Sequence, residues 1–195
     1  MRAAHVERET AETAVTLTFN LDGTGQSHID SGIGFFDHML TLFTAHGLFD
    51  LELVCDGDLR VDGHHSIEDI GIVLGEAIKK SLGDKRGICR YGTFYLPMDE
   101  SLALVSLDIS GRPFLVYDDG GGMAPMLGDY DTELTEEFLR AVAFHAGITL
   151  HVKVLYGKNS HHKIEAVFKA LGHALRMAAS VDPGVEGVLS TKGVL

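Results

Sequence analysis

Histidines and glutamates set at helical spacing carry the first chemical signal in this chain. Asp62-Gly63-His64-His65-Ser66-Ile67-Glu68-Asp69 returns almost intact as Asn159-Ser160-His161-His162-Lys163-Ile164-Glu165. In a helix the two histidines of each His-His-x-x-Glu lie four and three residues before the glutamate, so imidazole and carboxylate project from one side as half of a metal site. Neighbouring helical residues point about 100° apart, so His64 and His65, like His161 and His162, are expected to serve different ions. His38 stands 26 residues before His64, and the matching count of 24 back from His161 reaches Glu137, which offers oxygen where His38 offers nitrogen. Mixed N/O ligation without thiolate suits Mn, Fe, Co, Ni or Zn, and the abundance of carboxylate favours Mn. Asp62 and Asp69 are the expected partners for the ring N–H groups.

Cations form the second signal. Arg90, Arg112, Lys158 and Lys192 stand beside glycines or in loops, where a guanidinium or ammonium reaches a phosphate at little backbone cost. Ser190-Thr191-Lys192-Gly193 adds two hydroxyls to one cation and reads as a small anion clasp.

The elements that must position these groups follow from periodicity. Val15, Leu17, Phe19 and Leu21 alternate with polar residues as a half-buried strand, and Asp22-Gly23-Thr24-Gly25 turns it into a hairpin returning through Gln26 to Asp30. Phe35 to Phe43 is helical and closes near Gly47; Leu51 to Cys55 is a strand; the first motif opens a helix that stops at Gly83. The second half reads as strands at Tyr91–Leu96, Leu102–Ile109 and Phe114–Tyr117, a glycine loop at Gly120-Gly121-Gly122, a helix from Thr132 to Ala146, and a strand from Ile148 to Tyr156. A last helix spans Ser160–Ala179, with Ser160 as its cap. Seven residues after each motif glutamate stands a glycine (Gly75, Gly172), at nine an alanine (Ala77, Ala174) and at eleven a cation (Lys79, Arg176). The reading is an α+β fold of two β-β-α-β-α-like repeats, 1–86 and 87–182, each a small sheet backed by helices and related by a pseudo-twofold, with a substrate-binding tail at 183–195.

Composition bounds the rest. With 195 residues and 45% hydrophobic, the chain fills a real core, and a net charge of -12 with no basic run excludes non-specific nucleic-acid binding. Cys55 and Cys89 are expected to be buried reduced thiols. No secretory signal and no spanning apolar run is visible, so a cytoplasmic protein away from membranes is expected.

These motifs together resemble the imidazoleglycerol-phosphate dehydratase family over essentially the whole chain. The likeness lies in Leu21-Asp22-Gly23-Thr24-Gly25, Phe36-Asp37-His38-Met39-Leu40, both His-His-x-x-Glu segments, Leu107-Asp108-Ile109-Ser110-Gly111-Arg112-Pro113 and Ser190-Thr191-Lys192-Gly193. The resemblance implies a duplicated fold similar to the second domain of ribosomal protein S5, and an assembly of twenty-four subunits with two Mn2+ per active site at subunit contacts. It also implies dehydration of D-erythro-imidazole glycerol phosphate to imidazole acetol phosphate in histidine biosynthesis. By position it implies His38, His64, His65, Glu68, His161, His162 and Glu165 as metal ligands, Glu12 as the catalytic glutamate, and Arg90, Arg112, Ser190 and Lys192 at the phosphate. Some members carry His at the place of Glu137 and Gln at that of Leu42. Glu12, or Glu68 or Glu165 beside the metals, is expected to shuttle protons. Two other readings of the paired sites compete: a dinuclear phosphatase and a metal store.

Overall fold

The computed structural model describes residues 2–195. The first half contains β1 (Ala3–Glu9), β2 (Thr13–Asn20), β3 (Ser27–Asp30), α1 (Gly34–Gly47), β4 (Asp50–Gly57) and α2 (His64–Leu82). The second contains β5 (Tyr91–Met98), β6 (Ser101–Asp108), β7 (Phe114–Asp118), the short pair β8 (Met126–Leu127) and β9 (Tyr130–Asp131), α3 (Leu134–Ala146), β10 (Thr149–Tyr156) and α4 (Ser160–Ala179). Two four-stranded sheets run in the orders β1-β2-β4-β3 and β5-β6-β10-β7. Their registers match as well: Ala3 faces Asn20 in one and Tyr91 faces Asp108 in the other, a shift of 88 on both strands. The fold is α+β, with the same strand order in both halves.

Two local readings change. The partner of β2 in its hairpin is β1, while Ser27–Asp30 crosses to the far side of β4 and pairs with it in parallel. Asp50 draws the connection across, its carboxylate accepting the amides of Thr24 and Gln26. The cap of α4 is Asn159, whose side chain accepts from the amide of His161 at 2.9 Å, and Ser160 is the first helical residue.

Alternation decides what each strand buries. β2 sends Val15, Leu17 and Phe19 inward, and β6 sends Ala103, Val105 and Leu107. Each half's second helix covers its own sheet, α2 over β1 and β2 and α4 over β5 and β6, but each first helix leans on the other half, α1 on α4 and α3 on α2. Glycine permits this exchange. A Cβ on Gly172 would stand 2.5 Å from the Phe43 carbonyl oxygen, and one on Gly75 2.8 Å from that of Val142, so the helix backbones touch where a side chain has no room. Where α1, α3 and α4 meet, Phe36 and Phe168 both pack on Phe138, with ring centroids 5.1 and 5.4 Å away.

The last residues are tied to the junction between the halves. The Gly87 amide donates to Gly187 at 2.7 Å, the Asp182 amide to Gly87 at 2.9 Å, and Ile88 bridges Val181. Cys55 is buried, whereas Cys89 is only half-buried, its sulfur 3.2 Å from the Ser180 hydroxyl.

Candidate metal and substrate site

Both motifs open helices, and in both the consecutive imidazoles diverge alike. His64 and His65 have ring centroids 6.2 Å apart at 80°, His161 and His162 6.3 Å apart at 77°. One histidine of each pair therefore faces across to the other half, while its neighbour faces the turn of its own sheet.

The first histidines meet groups from the opposite half. His161 holds Nε2 3.1 Å from Glu165, and His38, arriving on α1, holds its own Nε2 3.6 Å from the same carboxylate. Ligand atoms of His38, His161 and Glu165 all lie within 4.8 Å of one another. Glu165 is 6% exposed, and burial alone would raise its pKa. The Lys169 ammonium at 2.5 Å and the His161 ring together outweigh that and hold the carboxyl below its ordinary value, hence ionised. On the other side of the pseudo-axis, His64 and Glu137 line one cavity of about 540 Å³, together with Asp62, Asp129, Asp131 and Glu133. Glu137 is gripped by Arg140, at 2.7 and 2.8 Å to its two oxygens, and Glu68 stands exposed.

The second histidines sit among carboxylates. His65 holds Nδ1 3.0 Å from Asp58 and Nε2 3.7 Å from Glu12; these three form a second cluster of closely spaced ligand atoms. His162 holds Nδ1 2.7 Å from Glu100 and Nε2 3.8 Å from Asp99. The Asp58 hydrogen bond raises the His65 pKa, and the Glu100 bond raises that of His162. Glu100 is correspondingly held far below the usual carboxylate range, first by His162 and then by the amides of Asn159 and Lys158.

The expected ring partners Asp62 and Asp69 are spent elsewhere. Asp62 accepts the backbone amide of His64 at 2.8 Å, and Asp69 is buried between Arg8, at 2.8 Å, and the Thr13 hydroxyl. A turn leading into α2 and a sheet-to-helix tie had stronger claims on them.

At the far end of β6, Arg90 forks onto Asp108 at 2.6 and 3.0 Å and donates its remaining nitrogen to the Leu189 carbonyl at 2.7 Å. Arg112 stands 3.7 Å from Asp108 and is exposed. Ser190 accepts the Lys192 amide at 3.2 Å, shaping the tail beside them. Arg90 is thus engaged in holding the tail, while Arg112 is the more exposed of the two arginines.

Asp58, Asp99, Glu100 and Lys169 were not singled out in the sequence. The shift of 88 that maps β1 and β2 onto β5 and β6 also maps Glu12 onto Glu100, and Lys169 is one helical turn beyond Glu165. Asp58 carries no such mark.

A duplicated α+β fold that gathers imidazoles and carboxylates at the starts of paired helices has the profile of a metal-dependent enzyme. The family model described as imidazoleglycerol-phosphate dehydratase matches residues 31–175. An imidazoleglycerol-phosphate dehydratase from Acetivibrio thermocellus is 59% identical over 194 residues, covering 100% of this chain and 99% of that protein. One from Clostridium botulinum (strain Langeland) is 62% identical over 192 residues, covering 98% and 97%. The crystal structure of the dehydratase from Staphylococcus aureus superposes with a TM-score of 0.83 at 42% identity, over 92% of this chain and 99% of that one. That of the Pyrococcus furiosus protein in complex with (S)-C348 gives 0.83 at 37%, over 97% and 100%. The chain belongs to the imidazoleglycerol-phosphate dehydratase family, enzymes of histidine biosynthesis classed as lyases, EC 4.2.1.19. Among the described residues no helix is long and apolar enough to cross a membrane.

Proposed function

We propose that this protein dehydrates D-erythro-imidazole glycerol phosphate to imidazole acetol phosphate at a two-manganese centre completed between copies of the chain in a cytoplasmic assembly of twenty-four. The observation that carries the reading is the cluster of His38, His161 and Glu165, nitrogen and oxygen donors brought within 4.8 Å from opposite halves of a chain of this family. The donors fit a hard or borderline divalent ion, with no thiolate among them, and the ionised state of Glu165 favours a cation. His38, His161 and Glu165 with a partner copy's second histidine would hold one ion; His64, Glu68 and Glu137 with another would hold its mate. When bound, the ions supply a Lewis-acid hold on the substrate imidazole, favouring its deprotonated form.

The chain's own residues account for the rest. Loss of water takes a hydroxyl from the glycerol carbon beside the ring and a proton from the next, and the resulting enol becomes the ketone. Glu12, exposed at the β1–β2 turn and close to His65, carries that proton, with Glu68 and Glu165 holding the site's charge. Arg112, Ser190 and Lys192 take the phosphate, and Arg90 keeps the tail in place for them through Leu189. Assembly is supported by the divergence of each His-His pair, which leaves one histidine of each outside the closely spaced clusters of the single chain. It is supported as well by Tyr91, Tyr95, Phe114 and Val116, all exposed on the outward face of the second sheet. The repeats are residues 1–86 and 87–182, with 183–195 as the substrate-binding tail.

The test is to supply the substrate to the Mn2+-loaded protein and follow ketone and free phosphate separately. Ketone without phosphate release is expected, and Glu12→Gln should lower kcat about 100-fold or more while Mn2+ content is kept. Phosphate release would mean a phosphatase instead, and near-normal kcat in E12Q would remove Glu12 from the chemistry.

A further inference from the structure

Glu12 and Glu100 occupy the same place in the two halves, each immediately before its hairpin's second strand, yet they face opposite sides of their histidines. Glu12 faces Nε2 of His65 at 3.7 Å, beyond hydrogen-bond range, and Glu100 accepts at 2.7 Å on Nδ1 of His162. In the second half the forward position beside Nε2 belongs to Asp99, whose φ of 48° turns consecutive carboxylates to opposite sides of the ring. In the first half the backing position belongs to Asp58, from the end of β4.

The two oxygens of Glu100 divide their work. Oε1 accepts the amides of Lys158 at 3.0 Å and Asn159 at 2.7 Å, the two residues leading into α4. Oε2 is left for His162. An ionised carboxylate only accepts, so Nδ1 of His162 carries the proton, and in the neutral ring Nε2 keeps its lone pair on the side of Asp99.

We propose that Glu100 is a positioning residue that holds His162 in the Nδ1–H tautomer and aims Nε2 at the metal, with Asp58 doing the same for His65. The inference rests on the metal reading above. The duplicated turn has thus diverged: one copy's glutamate faces the reacting side, and the other's is spent behind a ligand.

Glu100→Gln separates this role from a structural one. Its side-chain oxygen stays with the two backbone amides, which can only donate, so the NH2 group falls at His162 Nδ1 and obliges it to accept. The proton then moves to Nε2, the atom the metal needs. Full-length wild type, E100Q and E100A would be equilibrated at buffered free Mn2+ concentrations and bound Mn2+ measured per chain, with melting temperatures taken in excess chelator. E100Q is expected to melt with the wild type yet hold one class of Mn2+ roughly 10- to 100-fold more weakly. E100A is expected to lose affinity and melt lower, because the amides of Lys158 and Asn159 lose their acceptor. Equal Mn2+ affinity in E100Q and wild type overturns the assignment, as does a fall in E100Q melting temperature matching that of E100A. A wild type that takes up no Mn2+ overturns the underlying metal reading too.

Discussion

Asp50 accepts the amides of Thr24 at 2.8 Å and Gln26 at 3.1 Å with one oxygen and the Asn20 side chain at 3.2 Å with the other. Gly23 beside it has no room for a Cβ, which would fall 2.2 Å from the Asp50 nitrogen. The Thr24 amide is the main reason this carboxyl titrates below the ordinary 3.8; burial opposes it, and the Gln26 amide and the Asn20 side chain add to the lowering. A carboxyl depressed on folding contributes stability that is complete above its unfolded value and is lost as the pH falls through the folded one. Asp50→Asn should therefore lower the urea midpoint at neutral pH, with the gap to wild type narrowing below 3.8. Urea melts at several pH values check it; a gap that widened on acidification would contradict it. The same scale limits what can be read in advance. Which carboxylate backs a histidine is set by how the chain folds around the helix start: Asp58 lies 7 residues from His65 and Glu100 62 from His162, at 3.0 and 2.7 Å.

The helices were legible because their apolar residues recur every three to four positions, and most strands because theirs alternate. Strand β1 was not, since Val6 is its only buried residue and Glu7-Arg8-Glu9 follow it, as on an edge strand. Helix pairing across the halves left one trace, the matched Gly75 and Gly172, whose reason emerges only at the crossings. Gly172→Ala tests it. In an exposed helix the change would gain about 1 kcal/mol from propensity. Here the new Cβ meets backbone at 2.5 Å and 2.9 Å, at Phe43 and Gly47, which cannot rotate away as a side chain can. A net loss of about 1–3 kcal/mol is expected, seen as a lower melting temperature, with weaker Mn2+ uptake because α1 carries His38 and α4 carries His161. A stabilised G172A would mean that the helices are free to part.

For the whole molecule, the proposed centre and the proposed assembly are one prediction. If each ion draws ligands from more than one copy, removing metal should remove contacts as well as activity. Treatment with excess chelator is expected to abolish ketone formation and shift the particle to a smaller size, and added Mn2+ to restore both. Size measured by light scattering across a chelator titration checks this, and a particle unchanged while its Mn2+ is lost would place the sites within single chains.

The sequence by itself determined the α+β class, the repetition, the family likeness and most candidate residues, because each is carried by local spacing. Two histidines before a glutamate on a helix, and two copies of that pattern, need no fold to be seen. Tertiary structure decided what faces what. It placed His38 beside His161 and Glu165, took Asp62 into the turn before α2 and Asp69 into packing, and set Glu12 and Glu100 on opposite sides of equivalent rings. The reason is physical: orientation at a shared turn is settled by competition among hydrogen-bond partners, near and far along the chain, and residue spacing does not say which of them wins.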